Sequence, residues 1–183
     1  MGRFFISEQA ANDPTPAAGK ATLYVLTGGQ LAFIDSNGKI TKLTASTTND
    51  NAVAGTIGEY ISATAAPGAV ALTTGVSANV TSISLTAGDW DVTGLTNFTP
   101  GATTNITQYG SGPSSTTAAL GAQDTYAQIV TAAQVTGANI IDLPLPTVRF
   151  SLAGTTTIFL VARASFTVST LTAGGTIRAR RAR

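Results

Sequence analysis

The residues of this chain whose types and spacing could do chemistry are two aspartates that flank its single tryptophan. Asp89 and Asp91 stand on either side of Trp90, and on a β-strand this spacing places both carboxylates on one face and the indole on the other. Such a pair could bind Ca²⁺ or share a proton. Nothing nearby in the sequence completes a coordination shell, so we interpret Trp90 as a core residue and expect both acids to face water or a basic partner.

The composition excludes most other catalytic chemistry. The chain contains no His and no Cys, which removes Ser-His-Asp and Cys-His nucleophiles, the usual transition-metal ligands and disulfides. A pair among its nine acidic residues is the only common catalytic arrangement that remains. We therefore expect no enzymatic activity, no metal and no cofactor.

Arginine is concentrated at the C-terminus, in Arg178, Arg180, Arg181 and Arg183, which leaves six of the ten basic residues to balance nine acids elsewhere. A nucleic-acid interface normally spreads basic residues over a face with aromatic residues among them, and the remaining chain does not favour one. As a strand, this tail would place Arg178 and Arg180 on one face. We expect it to complete a sheet, with its arginines paired to carboxylates of a neighbouring subunit or a shell protein.

The N-terminal residues indicate an anchoring arm over residues 1–21. Residues 7–21 show no sustained periodicity, and Pro14 and Pro16 disfavour a helix there. Phe4, Phe5 and Ile6 form an apolar cluster that such an arm cannot bury by itself. We expect these three side chains to bind a partner.

Residues 22–44 alternate between apolar and polar positions and are broken by Gly28-Gly29 and Asn37-Gly38. An Asn-Gly pair between alternating strands predicts a tight hairpin with a type I′ turn. The segment therefore reads as a three-stranded β-meander. Residues 45–55 are small, polar and aperiodic, which predicts a linker.

Residues 56–183 carry short runs rich in β-branched residues that are separated by Gly, Pro and Asn. This pattern predicts an all-β domain, an antiparallel β-sandwich or jelly-roll. The Ala- and Gln-rich segment 118–135 leaves helix and strand open. No apolar run approaches the roughly 18 residues that cross a membrane, so we expect a soluble, unprocessed chain without a membrane partner.

Five segments carry a resemblance to a known group of proteins. The stretches Gly55–Ile61, Ser82–Gly94, Thr157–Phe166 and Gly175–Arg183 resemble the C-terminal β-domain of tailed-bacteriophage virion appendage proteins, which include head-fibre, capsid-decoration and tail-fibre components. The segment Leu23–Leu43 is similar to a small module near the start of phage fibre proteins. The resemblance implies a structural role in the virion, usually as a homotrimer, with no catalytic residues.

Two functions are compatible with this resemblance. The first is a cement or head-fibre protein that decorates and stabilises the capsid by contacting itself and the major capsid protein or another virion protein. The alternative is a tail-fibre or receptor-binding adhesin that recognises a host surface glycan through aromatic loop residues, for which Tyr109 is the clearest candidate. Either protein would be made in the host bacterial cytoplasm and reside in the virion.

Overall fold

A computed structural model of the chain describes residues 8–9, 15–26, 30–42, 51–135 and 139–183. The chain divides into two compact units, Met1–Asp50 and Asn51–Arg183, at a point inside the segment 45–55. Phe4, Phe5 and Ile6 lie outside the described residues, so their contact with a partner stays a prediction.

The first unit contains a small four-stranded sheet. Its strands are β1 (Glu8–Gln9), β2 (Thr22–Leu26), β3 (Gln30–Ile34) and β4 (Ile40–Lys42), in that spatial order. β2, β3 and β4 pair antiparallel, whereas β1 pairs with β2 in parallel. The three strands expected between residues 22 and 44 are therefore joined by a short fourth strand from the segment expected to be an extended arm.

The turn between β3 and β4 differs from the type I′ turn suggested by Asn37-Gly38. The Asp35 carboxylate accepts hydrogen bonds from the backbone N–H groups of Asn37 and Lys39, each 2.9 Å long. Gly38 has a positive φ of 79°, whereas Asn37 does not. A type I′ turn needs positive φ at both central residues, so this longer turn, closed by Asp35, requires glycine at only one of them.

The second unit is an antiparallel β-sandwich, as the sequence predicted. Its strands are β5 (Tyr60–Ala71), β6 (Ser77–Leu85), β7 (Gly88–Pro100), β8 (Asn105–Ser114), β9 (Ala127–Val135), β10 (Ile141–Pro144), β11 (Val148–Leu152), β12 (Thr156–Thr167) and β13 (Leu171–Arg181). One sheet, here the β7 sheet, has the order β10-β7-β13-β5, with β11 also paired to β7. The other, the β12 sheet, has the order β6-β12-β8-β9.

The segment 118–135, left open between helix and strand, forms strand β9 in its second half. A single 3₁₀ turn over Gln123–Thr125 precedes it, and β9 pairs antiparallel with β8. Within the described part of the chain, no helix is long and apolar enough to span a membrane.

The core follows from the alternation of inward and outward side chains along the central strands, which irregularities in β12 and β13 interrupt. On β13 the side chains of Ile177 and Ala179 are buried, while those of Arg178 and Arg180 are exposed. The largest fully buried side chains of the sandwich are Trp90, Phe98, Leu85, Ile106, Ile158, Leu160, Leu171 and Ile177, and they come from both sheets. Alternation of this kind buries one face of each sheet and leaves the other for solvent or a partner.

One polar contact joins the sheets through this apolar layer. The hydroxyl groups of Thr96 on β7 and Ser111 on β8 lie 2.6 Å apart, and the Ser111 hydroxyl also lies 2.7 Å from the carbonyl oxygen of Val161. Because both hydroxyls are buried and hydrogen-bonded, they avoid the penalty of unpaired polar atoms in a core.

Candidate functional site at the arginine-bearing end of the sandwich

Asp89 lies at the start of β7 and is almost fully buried. Its Oδ2 atom lies 2.9 Å from Nη2 of Arg149 and also accepts a hydrogen bond from Nε of Arg183. The neighbouring Ser151 side chain, together with Arg183 and Arg149, lowers the pKa of Asp89 to about 2. The Asp89 carboxylate is therefore ionised at neutral pH and joins β7, β11 and the C-terminus.

The second acid of the pair is in a different environment. Asp91 is exposed on β7 and makes no ion pair within the described residues. No group of three or more acidic residues in the described segments could hold a metal ion. Trp90 is fully buried, as predicted, and the basic partners of Asp89 belong to its own chain.

Arg181 is the buried member of the arginine tail, with only 6% of its side chain exposed. Its Nε atom donates to Oε2 of Glu59 at 2.9 Å, and its Nη1 atom donates to the carbonyl oxygen of Ala87 at 2.8 Å. Its Nη2 group donates to the hydroxyl of Thr86. The guanidinium carbon lies 4.3 Å from the centre of the Trp90 ring, within the range of a cation–π interaction.

Glu59 completes this arrangement from the turn before β5. Burial alone would raise the pKa of Glu59, but hydrogen bonds from the Gly55 backbone N–H and from Arg181, together with the Arg181 charge, lower it. The backbones are also joined, because Arg181 N–H donates to Glu59 O and Gly58 N–H donates to Arg181 O. The Glu59–Arg181 pair thus joins the turn before β5 to the end of β13, and the Arg181 side chain covers Trp90 at this end of the sandwich.

The structure divides the four tail arginines between two roles. β13 is a central strand between β5 and β7, and its alternation places Arg178 and Arg180 outward and Arg181 inward. Arg181 and Arg183 therefore pair with carboxylates of their own chain, whereas the sequence had assigned them to a partner. For Arg178, Arg180 and the exposed Arg183, contact with a partner stays a prediction.

Sequence reasoning did not single out Arg149 or Glu59. Arg149 occupies a polar position in the alternating stretch 148–152, which predicts only that it points away from the core. Glu59 lies 122 residues from Arg181. Neither pairing has a local signal, because both depend on which strands become neighbours.

The aromatic residue proposed for glycan recognition is not in a loop. Tyr109 lies on β8 and is buried, and its ring packs edge-on against Phe98 with centroids 5.3 Å apart. The expectation of an exposed Tyr109 is wrong because β8 continues through Gly110–Ser114 instead of turning.

A concavity of about 290 Å³ lies between the segment after β8 and strand β11. Its lining residues are mostly small or hydroxyl-bearing: Pro113, Ser114, Ser115, Thr116, Ala119, Leu120, Gly121, Ala122, Thr125, Val148, Arg149 and Phe150. Arg149 is the charged residue among them, and one of its nitrogens is engaged by Asp89. The concavity therefore offers hydroxyl groups and a half-buried Phe150 ring, but no acid or nucleophile pair.

Comparisons with known proteins give little that bears on this site. No protein-family model and no curated protein matches the chain. Among solved structures the chain is similar to one chain of "Structure of infectious bursal disease virus Gx strain", with 12% sequence identity and a TM-score of 0.41. The match covers 82% of this chain and 41% of that one.

Proposed function

We propose that this protein is a structural component of a tailed-phage virion, a cement or head-fibre protein that decorates and stabilises the capsid through subunit contacts. The observation that carries the proposal is where the sandwich places its acidic and basic side chains. Asp89 and Glu59 are tied into ion pairs inside the sandwich, while Arg178 and Arg180 are displayed on its outer face. Carboxylates engaged in this way are not free to exchange a proton with a substrate, as a general acid or base must be.

A free sheet edge supports the same proposal. β9 is the last strand of the β12 sheet and pairs with β8 alone among the described strands. Its Ile129 and Val130 side chains are exposed, Val130 to 71%. An exposed apolar edge strand invites pairing with another chain unless it is covered, and a homotrimer or another virion protein would cover it.

A protein that binds the assembled capsid lattice, and not its free subunits, stabilises the lattice by mass action. A decorating protein of this kind needs buried area rather than a chemical site. The low content of charged residues, 10%, suits β-structure that packs against copies of itself.

Immunogold labelling of virions tests the proposal, combined with copy number measured by quantitative mass spectrometry. Labelling over the head, at a copy number comparable to that of the major capsid protein, is the expected result. Labelling confined to the tail, in few copies, would replace it with the fibre function. Absence from the virion would refute both.

The adhesin function retains one observation in its favour, the concavity beside β11 with its hydroxyl groups and Phe150. Glycan sites commonly combine an aromatic face with precisely placed polar groups. A glycan array probed with the purified protein tests it, and Phe150→Ala should abolish any binding that uses this concavity while Tyr60→Ala should not.

A further inference from the structure

The outer face of the β7 sheet carries a row of alternating charges. Arg180 on β13 is paired with Tyr60 on one side and Asp91 on the other, and Asp91 is paired in turn with Arg149 on β11. Neighbouring strands lie about 4.8 Å apart, so the backbone positions of Arg180, Asp91 and Arg149 span only about 10 Å. The side-chain charges in this row are therefore positive, negative and positive on three neighbouring strands.

Further arginines extend this row along the strands. Arg178 lies two residues before Arg180 on the same face, roughly 7 Å away, and is exposed. Within the described residues, Arg178 and Arg180 make no ion pair. Arg149 and Arg183 share Asp89, but their side chains remain 57% and 73% exposed. Four arginines thus accompany two aspartates, and the surface is net positive.

Exposed apolar side chains lie beside these arginines. A Cβ atom built on Gly58 would lie 4.0 Å from Nη2 of Arg180, so the turn before β5 runs close to the row. Val53 and Ile57 in this segment are 68% and 72% exposed. Arginine, tyrosine and apolar groups together are the composition of protein–protein interface centres.

We propose that this surface, the arginine face (Tyr60, Arg149, Arg178, Arg180 and the adjoining Ile57), binds an acidic surface of a partner protein. The proposal rests on the proposed function and specifies the chemistry of the neighbouring virion subunit. Carboxylates of the partner pair with the exposed guanidinium groups, and its apolar side chains cover Ile57.

The charge pattern favours a protein over a nucleic acid. Asp91 stands in the middle of the row, where it repels a phosphate backbone, whereas a protein surface can present a negative, positive, negative row that matches it. Val53 and Ile57 likewise suit a partner with apolar side chains.

The sandwich of a second copy of this chain is a poorer match. Apart from the buried Glu59 and from Asp89 and Asp91, which accompany the arginines, the described acids of the sandwich are Asp124 and Asp142, which lie on a 3₁₀ turn and on β10. Single acids on separate elements do not form the acidic row that the arginine face requires.

Fluorescence anisotropy of the full chain with labelled poly-L-glutamate and with a labelled DNA duplex tests the proposal. The variant Arg178→Gln/Arg180→Gln should bind poly-L-glutamate about tenfold more weakly than the wild type. The matched control is Arg163→Gln, which alters an exposed arginine on β12 in the other sheet. It should bind like the wild type, and Trp90 emission should show that every variant is folded.

Three results would overturn the proposal. One is DNA binding as tight as poly-L-glutamate binding, lost in the double variant. Another is self-association that sedimentation shows to be lost in the double variant. The third is failure of the wild type to bind poly-L-glutamate at all. Because this experiment contains no virions, its outcome is independent of the labelling result that tests the proposed function.

Discussion

Replacing Arg181 by Met tests whether the tail arginine closes the sandwich. Met retains an unbranched apolar side chain of similar length but removes the charge and all the donors. The change therefore breaks the 2.9 Å bond to Glu59 and the 2.8 Å bond to the Ala87 carbonyl group, and it removes the cation that lies 4.3 Å from the Trp90 ring.

The expected loss of stability follows from these contacts. Breaking a mostly buried ion pair by removing one partner costs about 3–5 kcal/mol, because the other charge stays buried without compensation. Glu59 keeps its 2.8 Å hydrogen bond from the Gly55 N–H, and Met still packs on Trp90. We therefore expect a loss near the lower limit, about 3 kcal/mol, which lowers the melting temperature by roughly 10 °C in a domain of this size.

Urea unfolding measured by tryptophan fluorescence provides the assay, because Trp90 is the only tryptophan and is fully buried. The control is Arg178→Met, the same chemical change at an exposed position on the same strand. A double-mutant cycle with Glu59→Gln should show coupling of at least about 1 kcal/mol. If Arg181→Met unfolds within about 0.5 kcal/mol of the control, the closing role of Arg181 is refuted.

Three further predictions concern other parts of the sandwich. The pKa of Asp89 is about 2, below its unfolded value of about 3.9, so its contribution to stability is present above about pH 4 and lost as the pH falls toward 2; Asp89→Asn should flatten this part of a urea-unfolding pH series. Gly94→Ala should cost about 1–3 kcal/mol because its Cβ atom would lie 2.4 Å from a carbonyl oxygen of β13, whereas Gly154→Ala meets nothing within 4 Å and should leave the unfolding midpoint unchanged. Ser111→Ala should destabilise by about 1–3 kcal/mol by leaving the Thr96 hydroxyl without its partner, and Thr96→Val should cost less in the same assay because Ser111 keeps a second hydrogen bond.

The sandwich was predictable from the sequence because its strands have the alternation that a half-buried sheet requires. The prediction that Tyr109 lies in a loop was wrong, because the glycines that follow it allow close packing of neighbouring backbone and do not form a turn. A Cβ atom on Gly112 would lie 2.5 Å from Cβ of Tyr126, and one on Gly110 would lie 3.0 Å from the Ala127 carbonyl oxygen. These glycines let neighbouring backbone approach β8, but in the sequence they look like the end of a strand.

The candidate site was predictable only in part. The alternation of the tail identified Arg178 and Arg180 as sharing a face, and this follows from local geometry alone. The inward position of Arg181 and its pairing with Glu59 depend on β13 lying between β5 and β7. Strand order is a non-local property, so the residues alone could not distinguish a buried arginine from an exposed one.

Charged residues are scarce in this chain, so the arginines gathered at one end of the sandwich are informative about its function. The second unit contains six arginines and no lysine, and all of them except Arg163 lie on β11 or in the segment from β13 to the C-terminus. Arg181 is wholly engaged in contacts that stabilise the fold. Arg149 and Arg183 are engaged in part, because they pair with the buried carboxylate of Asp89. Within the described residues Arg178 and Arg180 make no ion pair, and Asp91 lies opposite Arg180 on β7. We propose that their placement beside Tyr60 and Ile57 serves an interaction with a partner protein, and the arginine face is therefore the part of the molecule where a partner should be sought.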